Sequence, residues 1–407
     1  MNTNLNMKSN SKPKFDIDNA LLPDVTDILR MKMSVNASHE SAELFPSTNI
    51  DKIEITIAII SNNRFSSLQR LMMSLSALHI PDRFKVNLKF SLESTSSNEL
   101  VEYVYGFSWR HGHKSIIRRI QPGGLIRAVS ESWFPASNNE YGLFLEDDIE
   151  VSPYALIWVE KILLKLYNTK AYDKARRIIG ISLYKPTVTE TNRSEMKRKP
   201  FHIHNITAVL TKSTEINRPF LFQTPCSWGA LYFPDAWKRF LMYLRERLNE
   251  EKTLYIPHSY TNDWYVSWKK YLFEFMYIKG YFLVYPNFGN SQSLSTNHLE
   301  KGTHIKTESI TYLEEKRIFT VPLVDNLSVF DGLDRYDINE YILIDLFGYP
   351  FLDKATMSGA FAAYSSPELY NTNKRVKSPS IFFYYYQHLK PESSEIKVRF
   401  TILNCYL

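Results

Sequence analysis

From Ile53 onward the chain alternates two hydrophobic rhythms. The run Ile53-Glu-Ile-Thr-Ile-Ala-Ile-Ile60 is β-branched and closes on Ser61-Asn62-Asn63, which predicts a strand ending in a polar turn. Leu68, Leu71, Met72, Leu75 and Leu78 then recur at helical spacing, until His79-Ile80-Pro81-Asp82 ends the helix. Residues 84–92 alternate as a second strand with Glu93 at its exit. Residues 98–109 read as a helix and 115–120 as a third strand, and Gly123-Gly124 opens a helix to Trp133. Leu143-Phe144-Leu145 is a short apolar run between turns, a buried strand that delivers Glu146, Asp147 and Asp148 to the edge of its sheet. Ser152-Pro153 supplies an N-cap and a first helical residue, with Leu156, Val159, Ile162, Leu163 and Leu166 on one face behind it.

Beyond that helix, 178–183 reads as a strand and 185–218 as a polar, basic excursion longer than a plain connector. Residues 225–233 form a strand broken at Gly229, and Asp235 caps a helix to about 249. Thr261-Asn262-Asp263 precedes an aromatic helix over 264–275, and 281–285 is a further strand. After 305 short apolar and aromatic runs are interrupted by Asp, Asn, Gly and Pro. Residues 1–50, rich in Asn, Ser, Lys and Asp with no sustained period, read as a flexible leader. The expected division is therefore 1–50 leader, 51–305 main domain and 306–407 C-terminal appendage of mixed structure. Strands alternating with helices imply right-handed crossovers, hence an α/β fold with a mainly parallel central sheet flanked by helices.

Composition changes this picture little. A chain of 407 residues can bury a full-sized core, and its net charge of +6 favours anionic ligands without marking a nucleic-acid protein. The 26 Tyr and 25 Phe supply aromatic faces that suit sugars and bases alike, although the stretch at 383–387 lacks the basic partners of a nucleic-acid platform. Cys226 and Cys405 are the only cysteines, which excludes a disulfide framework and a cysteine-based zinc site. No signal-peptide pattern and no apolar run of about 18 residues is visible, so the chain reads as soluble and cytoplasmic, with no encoded membrane span.

Glu146, Asp147 and Asp148 carry the chemistry. Consecutive carboxylates at a strand exit repel one another, which is best tolerated where a hard divalent cation joins them to an anionic substrate. Arg119 and Arg127 offer planar forks that match phosphate oxygens, and Gly123-Gly124 permits close backbone approach at a helix N-terminus. Asp263 stands before a helix, where an acid serves either as a helix cap or as a base.

Together, Ser61-Asn62-Asn63-Arg64, Gly124-Leu-Ile-Arg127 and Phe144-Leu-Glu-Asp-Asp-Ile-Glu-Val-Ser-Pro153 resemble the nucleotide-sugar half of GT-A glycosyltransferases. GT-A is a Rossmann-like nucleotide-diphospho-sugar transferase fold. The likeness runs over about 53–305 and is nearest to inverting family 2-type and N-acetylglucosaminyltransferase I-like enzymes, with Glu-Asp-Asp standing at their Asp-x-Asp metal motif. The resemblance implies a hexosyl- or N-acetylhexosaminyltransferase moving sugar from a UDP-linked donor to a hydroxyl of a carbohydrate, glycoprotein or glycolipid, with Mn²⁺ or Mg²⁺ as cofactor.

In that frame Asp148 ligates the metal, Asp147 faces ribose or metal, Glu146 supports them, and His298 comes late to the metal, with His304 its alternative. Asn62, Asn63 and Arg64 seat base and ribose, and Glu93 lies near the base. Arg119, Gly124 and Arg127 meet the diphosphate, Trp228 and Gly229 line the sugar, and Asp263 is the general base. The resemblance also allows a Golgi location. Two rival classes remain: a carbohydrate- or nucleotide-sugar-binding protein without turnover, and a metal-dependent nucleotidyltransferase.

Overall fold

Ile53–Ser61 forms β1, buried along almost its whole length, as an apolar strand inside a parallel sheet must be. The computed structural model describes residues 52–169, 175–189, 199–206, 217–249, 261, 264, 266–300 and 310–350. The expected leader, Asp263, His304, Cys405 and the stretch at 383–387 lie outside them.

α1 (Phe65–Ser76) turns Ser67, Leu68, Leu71, Met72 and Leu75 inward, the face set by their helical spacing. β2 (Phe84–Leu92), α2 (Asn98–Gly106), β3 (Lys114–Arg118), α3 (Gly124–Ser130) and β4 (Glu140–Glu146) follow, then a short β5 (Ile149–Val151). α4 is Ala155–Asn168, so it starts later than Ser152-Pro153 predicts. Ser152 does not cap it: its hydroxyl donates to Val324 O at 2.5 Å and accepts from Tyr154 N. Next come β6 (Ile178–Ser182), the pair β7 (Val188–Thr189) and β8 (Lys199–Pro200), β9 (Phe220–Phe222), β10 (Ala230–Tyr232) and α5 (Pro234–Asn249). α6 (Trp268–Lys279), β11 (Phe282–Tyr285), β12 (Ser295–Asn297), α7 (Ile310–Phe319) and β13 (Ile342–Ile344) complete the described elements.

The central sheet runs β13-β9-β11-β6-β10-β4-β1-β2-β3. β1 is parallel to β2 and to β4, β2 is parallel to β3, and β6 is parallel to β11. β10 runs antiparallel between β4 and β6, and β9 antiparallel to β11. The fold is thus α/β with a mainly parallel sheet flanked by helices. Among the described residues no helix is long and apolar enough to cross a membrane.

The expected boundary at 305 does not divide the described residues. β13 pairs in parallel with β9, and Val324, Phe330, Leu333, Ile338 and Tyr341 pack into the same core as β1. Their short apolar runs fill the far end of the sheet, so the periods they lack locally are supplied by contacts made across the chain.

Asp345, at the exit of β13, yields a pH-dependent prediction. Its Oδ1 accepts from the backbone N–H groups of Phe347 at 2.9 Å and Tyr349 at 2.8 Å, while Oδ2 is buried without a partner. Burial pushes the carboxyl from 3.8 up to about 7, against the pull of those backbone donors. The folded state therefore holds a proton that the unfolded chain has already released. That contribution is present at low pH and is lost as pH rises from about 4 towards about 7, at up to about 1.4 kcal/mol per unit. Asp345→Asn keeps the Oδ1 acceptor and removes the titration. Denaturant unfolding across this window should show wild type losing stability relative to the variant, and parallel pH profiles would refute the assignment.

Candidate functional site

In the order β3-β2-β1-β4 the chain steps outward on one side of β1 and returns on the other, so the crevice beyond the carboxyl ends of β1 and β4 is the topological switch point, where open α/β sheets bind ligands. Ile60 is in register with Glu146, which sets Ser61 beside Asp147. The Ser61 hydroxyl donates to Asp147 Oδ2 at 2.8 Å. From the turn after β1, Arg64 forms an ion pair with Asp147 and donates through Nη1 to Asp148 Oδ2 at 2.9 Å. Nη1 also approaches Glu300 O at 3.4 Å. The side chain of Asp147 is 1% exposed, that of Asp148 11% and that of Arg64 24%, so the guanidinium stands between the acids and solvent.

The charges are tightly coupled. Burial works against the Arg64 charge, but Asp147 and Asp148 more than offset it and hold the pKa above the usual arginine value. Burial raises Asp147, with Arg64 opposing and Asp148 adding. Burial and the neighbouring Asp148 push the Glu146 carboxyl up to about 8 against the pull of Arg64.

A hard divalent cation fits this donor set when its remaining ligands arrive with substrate. Asp148 Oδ1 is buried without a hydrogen-bond partner, and one or two carboxylates plus substrate phosphates are what Mg²⁺ commonly takes. No cage is formed by protein alone: among the described residues no three His, Cys, Asp or Glu side chains converge to hold a metal.

His298 is held close to the acids by β12, which pairs antiparallel with β5. Its N–H donates to Asp148 O at 3.0 Å, but its ring Nε2 lies 2.8 Å from Glu150 Oε2. The ring is thus engaged with Glu150 instead of with Asp148, because Glu150 lies on β5, paired with β12, whereas Asp148 lies in the turn before it.

Glu93 and the Gly123-Gly124 backbone, expected to meet different parts of a nucleotide, meet each other. The Glu93 carboxylate accepts from Gly123 N and Gly124 N at 3.2 Å. Burial raises this carboxyl, but the N–H donors of Ser94, Gly123 and Gly124 outweigh it and hold it below its usual range. A carboxylate seated on these amides opposes a phosphate in the same place.

The Arg119 guanidinium is engaged by α3 and the residue after it, with Nη2 on Glu131 Oε2 at 2.5 Å and on Arg127 O at 3.0 Å. The Arg127 side chain is exposed. Asn62 and Asn63 are exposed and tie the β1 exit to the β2–α2 turn, Asn62 accepting from Thr95 Oγ1 at 2.7 Å and Asn63 from Ser97 N at 3.2 Å.

Because β10 runs antiparallel beside β4, its N-terminal end brings Trp228 and Gly229 to the carboxyl end of β4. Gly229 has φ +93°, and a Cβ there would stand 3.0 Å from Ser295 Oγ, so both conformation and space favour glycine. The Trp228 ring packs edge-on to Tyr184 and Phe319, with Lys269 Nζ 5.3 Å from its centroid.

The sequence reading passed over Ser61, Glu150 and Lys269, the last a buried cation that lowers the Glu146 pKa. It also passed over Glu300, whose carboxylate is taken by Ser67 and Arg70 of α1. Glu150 had a signal, standing two residues after Asp148 in the same acidic run; the others are joined only by the fold.

The family described as SPBC1E8.03c C-terminal domain matches residues 66–201, about one third of the chain. No curated protein matches the sequence. Similar solved structures include the mannosyltransferase PcManGT from Pyrobaculum calidifontis in complex with GDP-Man and Mn²⁺, at 12% identity over 65% of this chain and 62% of that one, TM-score 0.34. GalNAc-T7 with UDP, GalNAc and Mn²⁺ matches at 13% identity over 58% and 43%, TM-score 0.36. TarS of S. aureus matches at 11% identity over 57% and 58%, TM-score 0.30. The chain spans less than two thirds of the length of each, and the likeness is one of fold.

Proposed function

We propose that the chain is a GT-A-type glycosyltransferase that moves a sugar from a nucleotide donor, UDP-linked, to a hydroxyl acceptor with inversion. The observation that carries this reading is the pair Asp147–Asp148 at the carboxyl end of β4, at the switch point of the sheet, facing a cation from the end of β1. A nucleoside diphosphate gains charge as its glycosidic bond breaks, and a site that neutralises this charge stabilises the transition state more than the ground state.

Asp148, with Asp147 behind it, would hold Mn²⁺ or Mg²⁺ on the diphosphate. The metal supplies Lewis-acid stabilisation of the leaving group. Glu146, at the end of β4, supports the two aspartates, and Ser61 fixes the rotamer of Asp147. Arg64 is the cation that reaches the phosphates, a role for which its fork is suited and Arg119 is already engaged elsewhere. Trp228 borders the sugar, and Asp263 takes the proton of the acceptor hydroxyl.

A panel of nucleotide sugars incubated with the protein and Mn²⁺ or Mg²⁺ tests the reading. One donor should be hydrolysed slowly to nucleoside diphosphate and free sugar, and chelator should stop it. Release of pyrophosphate would instead assign a nucleotidyltransferase, and donor binding without any product would assign a binding protein.

A further inference from the structure

Arg64 binds the two carboxylates that a divalent cation requires. Its fork spans Asp147 and Asp148, which are separated from it by more than 80 residues of chain, and it forms the solvent-facing side of the cluster. A planar guanidinium can bridge two carboxylates at once, whereas a lysine is a point charge that favours one. Adding a divalent cation with Arg64 in place would crowd a second cation onto carboxylate oxygens the guanidinium already occupies. A polyphosphate ligand relieves that crowding, because its oxygens accept both the guanidinium and the metal.

We propose that Arg64 is the resident counter-ion of the acidic site, and that it must leave Asp147 and Asp148 before a divalent cation binds, so that the cation enters together with a polyphosphate. The inference rests on the proposed function in one respect only, that the acid pair takes a divalent cation. The consequence is thermodynamic coupling: phosphate ligand and metal each raise the affinity for the other, and Arg64 transmits part of the effect.

The test is Mn²⁺ binding to the full chain, followed by calorimetry and by electron paramagnetic resonance, with no sugar donor present. Wild type should bind Mn²⁺ weakly alone and roughly tenfold more tightly with UDP. Arg64→Ala should bind Mn²⁺ alone roughly tenfold more tightly than wild type, with most of the UDP enhancement gone. Arg64→Lys, which keeps a cation but cannot bridge both acids, should fall between them. Adding Asp148→Asn to Arg64→Ala should remove the gain.

Because Arg64→Ala leaves buried carboxylates without a counter-ion, it should melt below wild type and be rescued by Mn²⁺ more than wild type is. If the alanine variant does not fold, Arg64→Lys carries the test. Equal Mn²⁺ affinity in wild type and the folded Arg64 variant would overturn the proposal, as would tight Mn²⁺ binding by wild type alone. A protein that binds Mn²⁺ in the expected pattern yet turns over no nucleotide sugar would refute the glycosyltransferase reading and leave the counter-ion role standing.

Discussion

Asp148→Asn is expected to abolish metal-dependent UDP binding and to lower donor turnover by about 10³-fold, the equivalent of ~4 kcal/mol of transition-state stabilisation from a bound divalent cation. The substitution keeps the size of the side chain and one carbonyl oxygen, but removes the charge from the more exposed acid of the pair, which has a buried oxygen without a hydrogen-bond partner. Stability should change by no more than about 1 kcal/mol, because the loss of the Arg64 hydrogen bond is offset by relief of repulsion with Asp147. Asp147 cannot serve for this test: with 1% of its side chain exposed and both Ser61 and Arg64 on its oxygens, its removal also breaks the fold locally. Titration of UDP with and without Mn²⁺, beside a thermal melt, checks the result. An Asp148→Asn protein that keeps Mn²⁺-dependent UDP binding would remove the metal from this site.

The parts of this protein that are written in local patterns were legible in its sequence. β1, α1, β2 and α4 have apolar periods of their own, and the carboxylates after Leu145 follow a strand whose end could be foreseen. Strands of three residues such as β9 and β13 have no period to read, and the strand expected at 225–233 did not disclose the antiparallel direction of β10, so neither that insertion nor the return of residues 342–344 to the sheet was visible. The partners of the candidate site residues were hidden for a related reason. A glutamate at a strand exit looks the same whether it meets a base or, as Glu93 does, the amides of Gly123 and Gly124. Arg119 as a phosphate ligand was a statement about charge, and Glu131, one helix away, satisfies that charge first. The pairing of Arg64 with Asp147 and Asp148 depends on the adjacency of β1 and β4, which no spacing in the chain announces.

Asp263→Asn is expected to leave donor binding intact and to lower sugar transfer by roughly 10² to 10⁴-fold, the range for loss of a general base. Inverting transfer needs a carboxylate that takes the acceptor proton while the hydroxyl oxygen attacks the anomeric carbon, and asparagine keeps the shape of aspartate without its basicity. The rival reading of Asp263 was a helix cap, a role in which asparagine replaces aspartate at little cost. Among the described residues α6 begins at Trp268, with Ser267 at its N-cap position. Trp264 N bonds to Thr261 O at 3.1 Å, a turn that ends before the helix opens. Since asparagine caps a helix about as well as aspartate, a change in transfer rate without a change in melting temperature reports on chemistry. Transfer to an added acceptor, or slow donor hydrolysis in its absence, measured beside a melt and a UDP titration, separates the outcomes. Unchanged transfer by a folded Asp263→Asn protein would take this residue out of the mechanism and require the base to come from another carboxylate of the chain.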